Sequence, residues 1–377
     1  MVAYPELDGL IHKTDGYGRG AMLNSVDTAT PLFSTLTDLI AVDDFEIVQR
    51  HELQPLIDRA AAQTIEVVNA AFDLEIEEAL EDAHRALYAL YADRVWRAPR
   101  HPRPAFAQAA LDVSRGELEQ GLRHHLARRR NGAIGTPPEN VELAEWMQRL
   151  ALGPHPHEDP TWGEFIRESI SLEQLKQIVI NRSLFFLREP DPWIFAVPKL
   201  RGIAKAGLID LMLDEYGWGK LDHMHSSVYA RLMEALELQS EIDHYEAAAD
   251  WRFLATLNHQ WMLGLNPELN NRLLGTIYLT EADSPGAMTN YLAAWARLGI
   301  DDPDVLRFYE IHVSADENHR DVALHEVVLP VCEANPDAAK DVARGIFDAR
   351  TLEADFAAGL RALFESDANH SQGENHG

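Results

Sequence analysis

Helical periodicity is the feature that most restricts how this chain can fold. From residue 43 to residue 96 apolar side chains recur at helical spacing, and Pro55 is the only proline or glycine in that segment. Strand-like alternation is nearly absent from the rest of the chain. The same pattern predicts further helices near 161–188, 201–215, 224–238, 248–280, 284–298, 303–333 and 337–365. Helices of this length bury their apolar faces against one another, so the sequence predicts an all-α bundle.

Proline-rich segments divide the chain into regions. The stretches at 98–106 and 131–140 contain several prolines and glycines, which interrupt helices. We therefore predict a helical N-terminal region over residues 1–150 and a larger helical domain over residues 155–366. Residues 367–377 are polar, and we expect them to form a disordered tail.

Charge and cysteine content narrow the possible partners and cofactors. The net charge of −28 argues against nucleic acid as a partner. No apolar run approaches the roughly 18 residues that span a bilayer, and no secretory signal is visible, so we expect a cytoplasmic protein without a membrane partner. Cys332 is the only cysteine, so any bound metal must be held by His, Asp and Glu.

One basic island stands out from the acidic background, at residues 94–104 and 123–130. We expect it to be a solvated linker and helix end. A local anion site or a contact between subunits is the alternative interpretation.

The stretch 308–330 carries the strongest chemical signal. At 100° per residue, His312, Asp316 and His319 fall within an arc of about 60° on one helix face, together with apolar residues. His325 points away from this face and is expected to be a surface histidine. Two imidazoles and a carboxylate on an inward face favour metal ligation, although a buried hydrogen-bonded ladder is possible. Three such ligands and a water would satisfy zinc, whereas a dinuclear iron or manganese site needs more carboxylates.

Other helices offer further ligands at their ends or within apolar runs. The candidates are Glu189, Glu215, His225 and Glu281, each of which could instead be a helix-end or surface group. A competing pattern is the pair of Glu-x-x-His motifs typical of ferritin-like di-iron bundles. These motifs are formed by Glu81 with His84 and by Glu241 with His244.

Three parts of the sequence resemble one known family. They are DEYGWGKLDHMHSSVYARLMEALEL at 214–238, the glutamate of TEADSP and the motif His-x3-Asp-x2-His. It is the family of haem-oxygenase-like di-iron oxidases and oxygenases, also described as iron-containing redox enzymes. The resemblance implies a haem-oxygenase-like bundle preceded by a helical region that forms a homodimer. It also implies two iron ions per chain, with the ligands Glu189, Glu215, His225, Glu281, His312, Asp316 and His319.

The activity implied by this resemblance is O2-dependent oxidation through a peroxo-di-iron(III) intermediate, with an external electron donor. Our first hypothesis is N-oxygenation of a small amine, guanidine or aminoazole in specialised metabolism. The second is C–H or C–C cleavage of an amino acid or fatty acid, and the third is a non-enzymatic haem- or metal-binding protein. An acidic and aromatic pocket would favour a cationic guanidine, whereas a long apolar pocket would favour a fatty acid.

Overall fold

Helices form all the regular secondary structure that the computed structural model describes, and the predicted all-α class is confirmed. The structure describes residues 30–42, 50–97, 103–138 and 142–374, without the side chains of residues 50, 315–317 and 367–374. Its α-helices are α1 (Leu32–Ile40), α2 (Arg50–Val68), α3 (Glu77–Val95), α4 (Ala105–Arg130), α5 (Glu142–Leu152), α6 (Trp162–Glu168), α7 (Leu172–Phe186), α8 (Gly202–Glu215), α9 (His225–Ala235), α10 (Trp251–Leu265), α11 (Asn270–Arg297), α12 (Pro303–Asp321), α13 (Leu329–Ala334) and α14 (Ala338–Glu374).

The N-terminal helices share a hydrophobic core with the later ones. Leu36, Leu87 and Leu122 belong to the same buried cluster as Trp193 and Leu273. Helix α3 packs along α10, so the region before residue 152 buries apolar surface against the larger helical unit. Dimerisation through this region stays a prediction.

The arginines at the end of α4 form ion pairs with carboxylates of α14. The sequence predicts that these arginines are solvated and does not predict the ion pairs. Arg130 forms an ion pair with Asp348, and both side chains are buried. Arg129 donates to Asp355 at 2.8 Å. These partners lie more than 200 residues away in sequence, so only the tertiary fold could assign them. The ion pairs tie α4 to the helix that forms one wall of the site described below.

Helix boundaries differ from the predicted ones where proline was the only guide. The break predicted near Pro285 is wrong, because α11 continues through that proline. The chain instead breaks at Asn266, whose backbone is extended, immediately before Pro267. Since the residue before a proline is driven towards extended conformations, Pro267 ends α10. Pro285 is retained in a helix that packs along its length against α12 and α14.

Three other predicted helices are interrupted. The predicted 161–188 helix divides where Ser171 forms a capping box at the start of α7. The predicted 303–333 helix contains a π-helical segment at Val322–Val328. The segment 43–96, which has apolar side chains at helical spacing, is interrupted at Glu75, where φ is 56°. At the C-terminus, the helical backbone of α14 continues to Glu374, beyond the end predicted near residue 365.

Two glycines let α11 and α14 approach unusually closely. A Cβ atom added at Gly275 would lie 2.0 Å from the carbonyl oxygen of Val342, and one at Gly345 would lie 2.0 Å from that of Arg272. Only residues without a side chain fit at these two points. This contact sets the spacing of two helices that line the cavity described below. None of the described helices combines the length and the apolar character needed to cross a membrane.

Candidate metal centre

A glycine turn brings together two of the predicted ligands. Glu215 is the last residue of α8 and His225 is the first of α9. Both side chains are buried, and Nδ1 of His225 lies 2.7 Å from a carboxylate oxygen of Glu215. Between them, Gly217 has a φ of 58°, and a Cβ atom there would lie 2.4 Å from the backbone of His223 and Met224. The turn therefore requires glycine at this position for both conformation and space.

We expect Gly217→Ala to lower the iron content of the chain, because the displaced turn separates Glu215 from His225. Gly219→Ala is the matched control, since Gly219 has a φ of 73° but no atom within 4 Å of an added Cβ. Gly219→Ala should be destabilised only by the left-handed backbone conformation of its alanine, by about 1–2 kcal/mol. Iron per chain and thermal unfolding temperature measure both effects. Equal iron contents in the two variants would show that the close approach at Gly217 does not position the ligands.

Helix α12 supplies two buried histidines from the predicted inward face. Nδ1 of His312 donates to the backbone carbonyl of Phe308 at 2.6 Å, which leaves Nε2 as the basic nitrogen of this ring. The rings of His312 and His225 have centroids 4.6 Å apart. His319 lies two turns further along, and like His312 it is buried. His325 is exposed, as predicted.

Helix α11 supplies Glu281, which approaches His319. Nδ1 of His319 lies 3.4 Å from a carboxylate oxygen of Glu281, and its Nε2 lies 3.2 Å from Asp214. A carboxylate on the second ring nitrogen orients a metal-binding histidine and raises its basicity. Asp214 was not among the predicted site residues, although it directly precedes Glu215.

The described ligand atoms form two groups that share one carboxylate. Glu215, His225 and His312 form the first group; Glu215, Glu281 and His319 form the second, and in each group the ligand atoms lie within 4.8 Å of one another. Metal–ligand distances near 2.0–2.2 Å place two ligands of one ion up to about 4.4 Å apart. Small side-chain movements would therefore close each group around an ion. Mixed imidazole and carboxylate donors suit first-row metals such as iron, so these residues fit such a metal, and Glu215 would hold it as a member of both groups.

The remaining two predicted ligands have different outcomes. Glu189 is buried and lines the same cavity as Glu215, Glu281 and His312, but it belongs to neither group of three. Asp316 lies on α12 one turn after His312, and its side chain is outside the described part of the structure.

The two Glu-x-x-His motifs have other surroundings in the described structure. The ring of His84 stacks on Trp251, with centroids 5.7 Å apart, and Glu81 forms an ion pair with Arg85. Neither motif belongs to a possible metal group among the described residues. The ferritin-like arrangement is therefore not formed there.

A cavity of about 670 Å³ opens beside the ligand groups. Its aromatic lining comprises Trp162, Phe185, Phe186, Tyr229, Phe253, Tyr291, Phe308, Tyr309 and Phe356. Tyr229 and Tyr309 are buried, and both form part of this wall. The phenol of Tyr229 donates to the carbonyl of Val179 at 2.8 Å, which holds its ring in place.

Charged residues that the sequence did not single out line the same cavity. Arg182 donates to Glu353 at 3.0 and 2.6 Å, and Arg350 donates to Glu158 at 2.7 and 2.5 Å. The side chain of Asp283 is exposed to the cavity, and partial loss of hydration inside the cavity raises its pKa to about 6. Their sequence positions carry no shared motif, since the partners in each pair are 171 and 192 residues apart.

Comparisons with known proteins show which family and which relative this chain is similar to. Residues 176–354 match the family described as iron-containing redox enzymes. This segment contains all seven predicted ligands. The chain is also 29% identical over 173 residues to a nitrosourea synthase of Streptomyces achromogenes subsp. streptozoticus. That alignment covers 44% of this chain and 36% of the relative, so the similarity spans about a third of the relative's length.

Proposed function

Since residues 176–354 form a domain of the haem-oxygenase-like family of iron-containing redox enzymes, we propose that the chain is a non-haem di-iron oxygenase that N-oxygenates a small amine, guanidine or aminoazole. In this proposal two iron ions bind to Glu189, Glu215, His225, Glu281, His312, Asp316 and His319. An external electron donor restores the ferrous state, and O2 is the second substrate. Homodimerisation and a cytoplasmic location belong to the same proposal.

The ligand residues are suited to hold two ferrous ions. Four carboxylates and three neutral imidazoles nearly balance the four positive charges of the two ions, and hard oxygen donors favour the ferric state. Bound iron would supply the electrons for reducing O2. The protein's part is to keep Glu215 between the two groups, to hold the His312 ring through Phe308 and to orient His319 through Asp214.

The lining of the cavity is the observation that carries the preference for a nitrogenous substrate. Apart from the proposed ligands, the cavity is lined by four carboxylates and two guanidinium groups, which belong to Glu158, Asp159, Asp283, Glu353, Arg182 and Arg350. Aromatic rings attract cations through their faces. Acidic and aromatic walls therefore favour a small cation over a fatty acid. The similarity to a protein whose name gives an N-nitroso compound as product supports the same choice.

Metal loading and O2 uptake test this proposal. We expect the full chain, reconstituted with Fe(II) without oxygen, to hold two iron ions and to consume O2 when an amine, guanidine or aminoazole is added. Mass spectrometry with 18O2 should locate the label on a substrate nitrogen. Label on carbon, or a cleaved carbon chain, would favour the C–H or C–C alternative. A Soret band on haem addition with no O2 uptake by the iron-loaded chain would favour the binding protein.

A further inference from the structure

A set of buried polar atoms lines the cavity apart from the ligand groups. Thr256, His259 and Gln260 lie on α10 and are 7%, 1% and 5% exposed. In each side chain one polar atom has no hydrogen-bond partner within the part of the chain that the structure describes, namely Oγ1 of Thr256, Nε2 of His259 and Oε1 of Gln260. A buried polar atom without a partner costs about 1–3 kcal/mol. Three of them on one wall of a cavity indicate a place where a bound molecule supplies the partners.

The cavity wall around these residues has a net negative charge, because its two arginines already form ion pairs with neighbouring carboxylates. Both terminal nitrogens of Arg182 donate to Glu353. All three guanidinium nitrogens of Arg350 donate, to Glu158 and to the carbonyl oxygens of Leu150 and Gly153. The two ion pairs thus cancel their own charges and leave few donors for a third carboxylate.

Asp283 is that third carboxylate. It lies on α11 and lines the cavity with Tyr291, and among the described residues it has no hydrogen-bond or ion-pair partner. Its side chain is exposed to the cavity, so a bound cation can contact this carboxylate directly. The amide oxygen of Gln260 adds a second acceptor on the same cavity. The Thr256 hydroxyl and the His259 ring can each donate or accept, whereas the Asp283 carboxylate and the Gln260 amide oxygen only accept, so these two suit a ligand group that brings N–H donors and positive charge.

We propose that Asp283 and the polar face of α10, formed by Thr256, His259 and Gln260, are a subsite that binds a positively charged, N–H-bearing group of the substrate. This inference rests on the proposed function, because it assumes that the substrate occupies the cavity beside the metal ligands. Asp283 and Gln260 accept hydrogen bonds from the cationic group, and the aromatic wall contacts its carbon skeleton. The subsite thereby determines which end of the substrate faces the ligand groups.

Three small probes of similar size test the subsite: ethylguanidinium, its neutral analogue ethylurea, and propionate. Binding is measured by calorimetry without oxygen on the full iron-loaded chain. We expect ethylguanidinium to bind at least about tenfold more tightly than ethylurea, the range for a hydrogen bond to a charged group. Asp283→Asn, which keeps the shape and removes the charge, should abolish that preference. Gln260→Leu should lower the affinity for ethylguanidinium several-fold. Asp210 is an exposed residue on α8, so Asp210→Asn should leave that affinity unchanged.

The outcomes separate this inference from the proposed function. The subsite would be overturned if Asp283→Asn bound ethylguanidinium as tightly as the wild type does. It would also be overturned if propionate bound more tightly than the other two probes. Both outcomes are independent of whether the chain consumes O2. If the chain holds no iron, the same titrations on the metal-free protein still report the Asp283 effect. Iron content and thermal stability equal to wild type show that Asp283→Asn does not act through the nearby ligand Glu281. With a cationic substrate, that variant should raise KM about 10–100-fold with kcat little changed.

Discussion

Replacing Glu215 with glutamine is expected to lower the iron content from two ions per chain to below one and to reduce O2 uptake by at least about 100-fold. Glu215 belongs to both ligand groups, so its loss affects both proposed ions at once. Glutamine keeps the size but removes the negative charge, and a neutral amide is a poor bridge between two cations. Substitution of groups that only orient metal ligands typically lowers metal affinity or activity about 10–100-fold. Loss of a ligand that belongs to both groups should lower them further.

Elemental analysis and an oxygen electrode measure this effect. Asp210→Asn is the matched control, because Asp210 lies on the same helix and is exposed. It should keep two iron ions and full O2 uptake. A Glu215→Gln protein that retains both iron ions would show that Glu215 does not bridge them. Comparison with Glu281→Gln, which alters one ligand group only, should give an intermediate loss of iron.

Replacing Gly275 with alanine should destabilise the protein, although alanine normally favours a helix by about 1 kcal/mol over glycine. The added carbon would lie 2.0 Å from the carbonyl oxygen of Val342, a backbone atom that cannot rotate away. Helices α11 and α14 must separate, and overpacking of this kind typically costs about 1–3 kcal/mol. For a chain of 377 residues, an unfolding entropy of about 2.1 cal/mol/K per residue converts this cost to a fall of about 1–4 °C in the thermal midpoint.

Gly286→Ala on the same helix is the control for this stability effect. No atom lies within 4 Å of a Cβ atom added at Gly286, so helix propensity should act there without a collision. The control should therefore match or exceed the wild-type midpoint. If Gly275→Ala were as stable as Gly286→Ala, the close contact of α11 with α14 would not be needed for the fold.

Part of the candidate site could be predicted because its signals are local. The helical angles of His312 and His319 place both on one face, and the structure buries both against Glu281 and His225. The glycines after Glu215 indicate a turn, which explains how His225 returns to the same point. Burial of His312 and exposure of His325 follow from the same 100° rotation per residue.

Helix breaks were predicted less well, since a single proline does not decide whether a helix ends. Pro285 and Pro267 look alike in sequence, yet α11 runs through the first and begins after the second. The difference lies in packing, because α11 contacts α14 at Gly275 before Pro285 and contacts α12 at Tyr291 after it. Tertiary contacts of this kind override local preferences.

The amino-acid sequence was sufficient to predict the helical class, the resemblance to iron-containing redox enzymes and a set of His, Asp and Glu residues able to bind metal. These follow from periodicity and from spacing within one helix or turn, which depend on neighbouring residues alone. The tertiary structure was needed to show that Glu215 belongs to two ligand groups, that Arg182 and Arg350 pair with Glu353 and Glu158, and that Asp283 lines the cavity without a hydrogen-bond or ion-pair partner among the described residues. Charge pairing and burial depend on residues that are far apart in the chain, and folding alone brings them together.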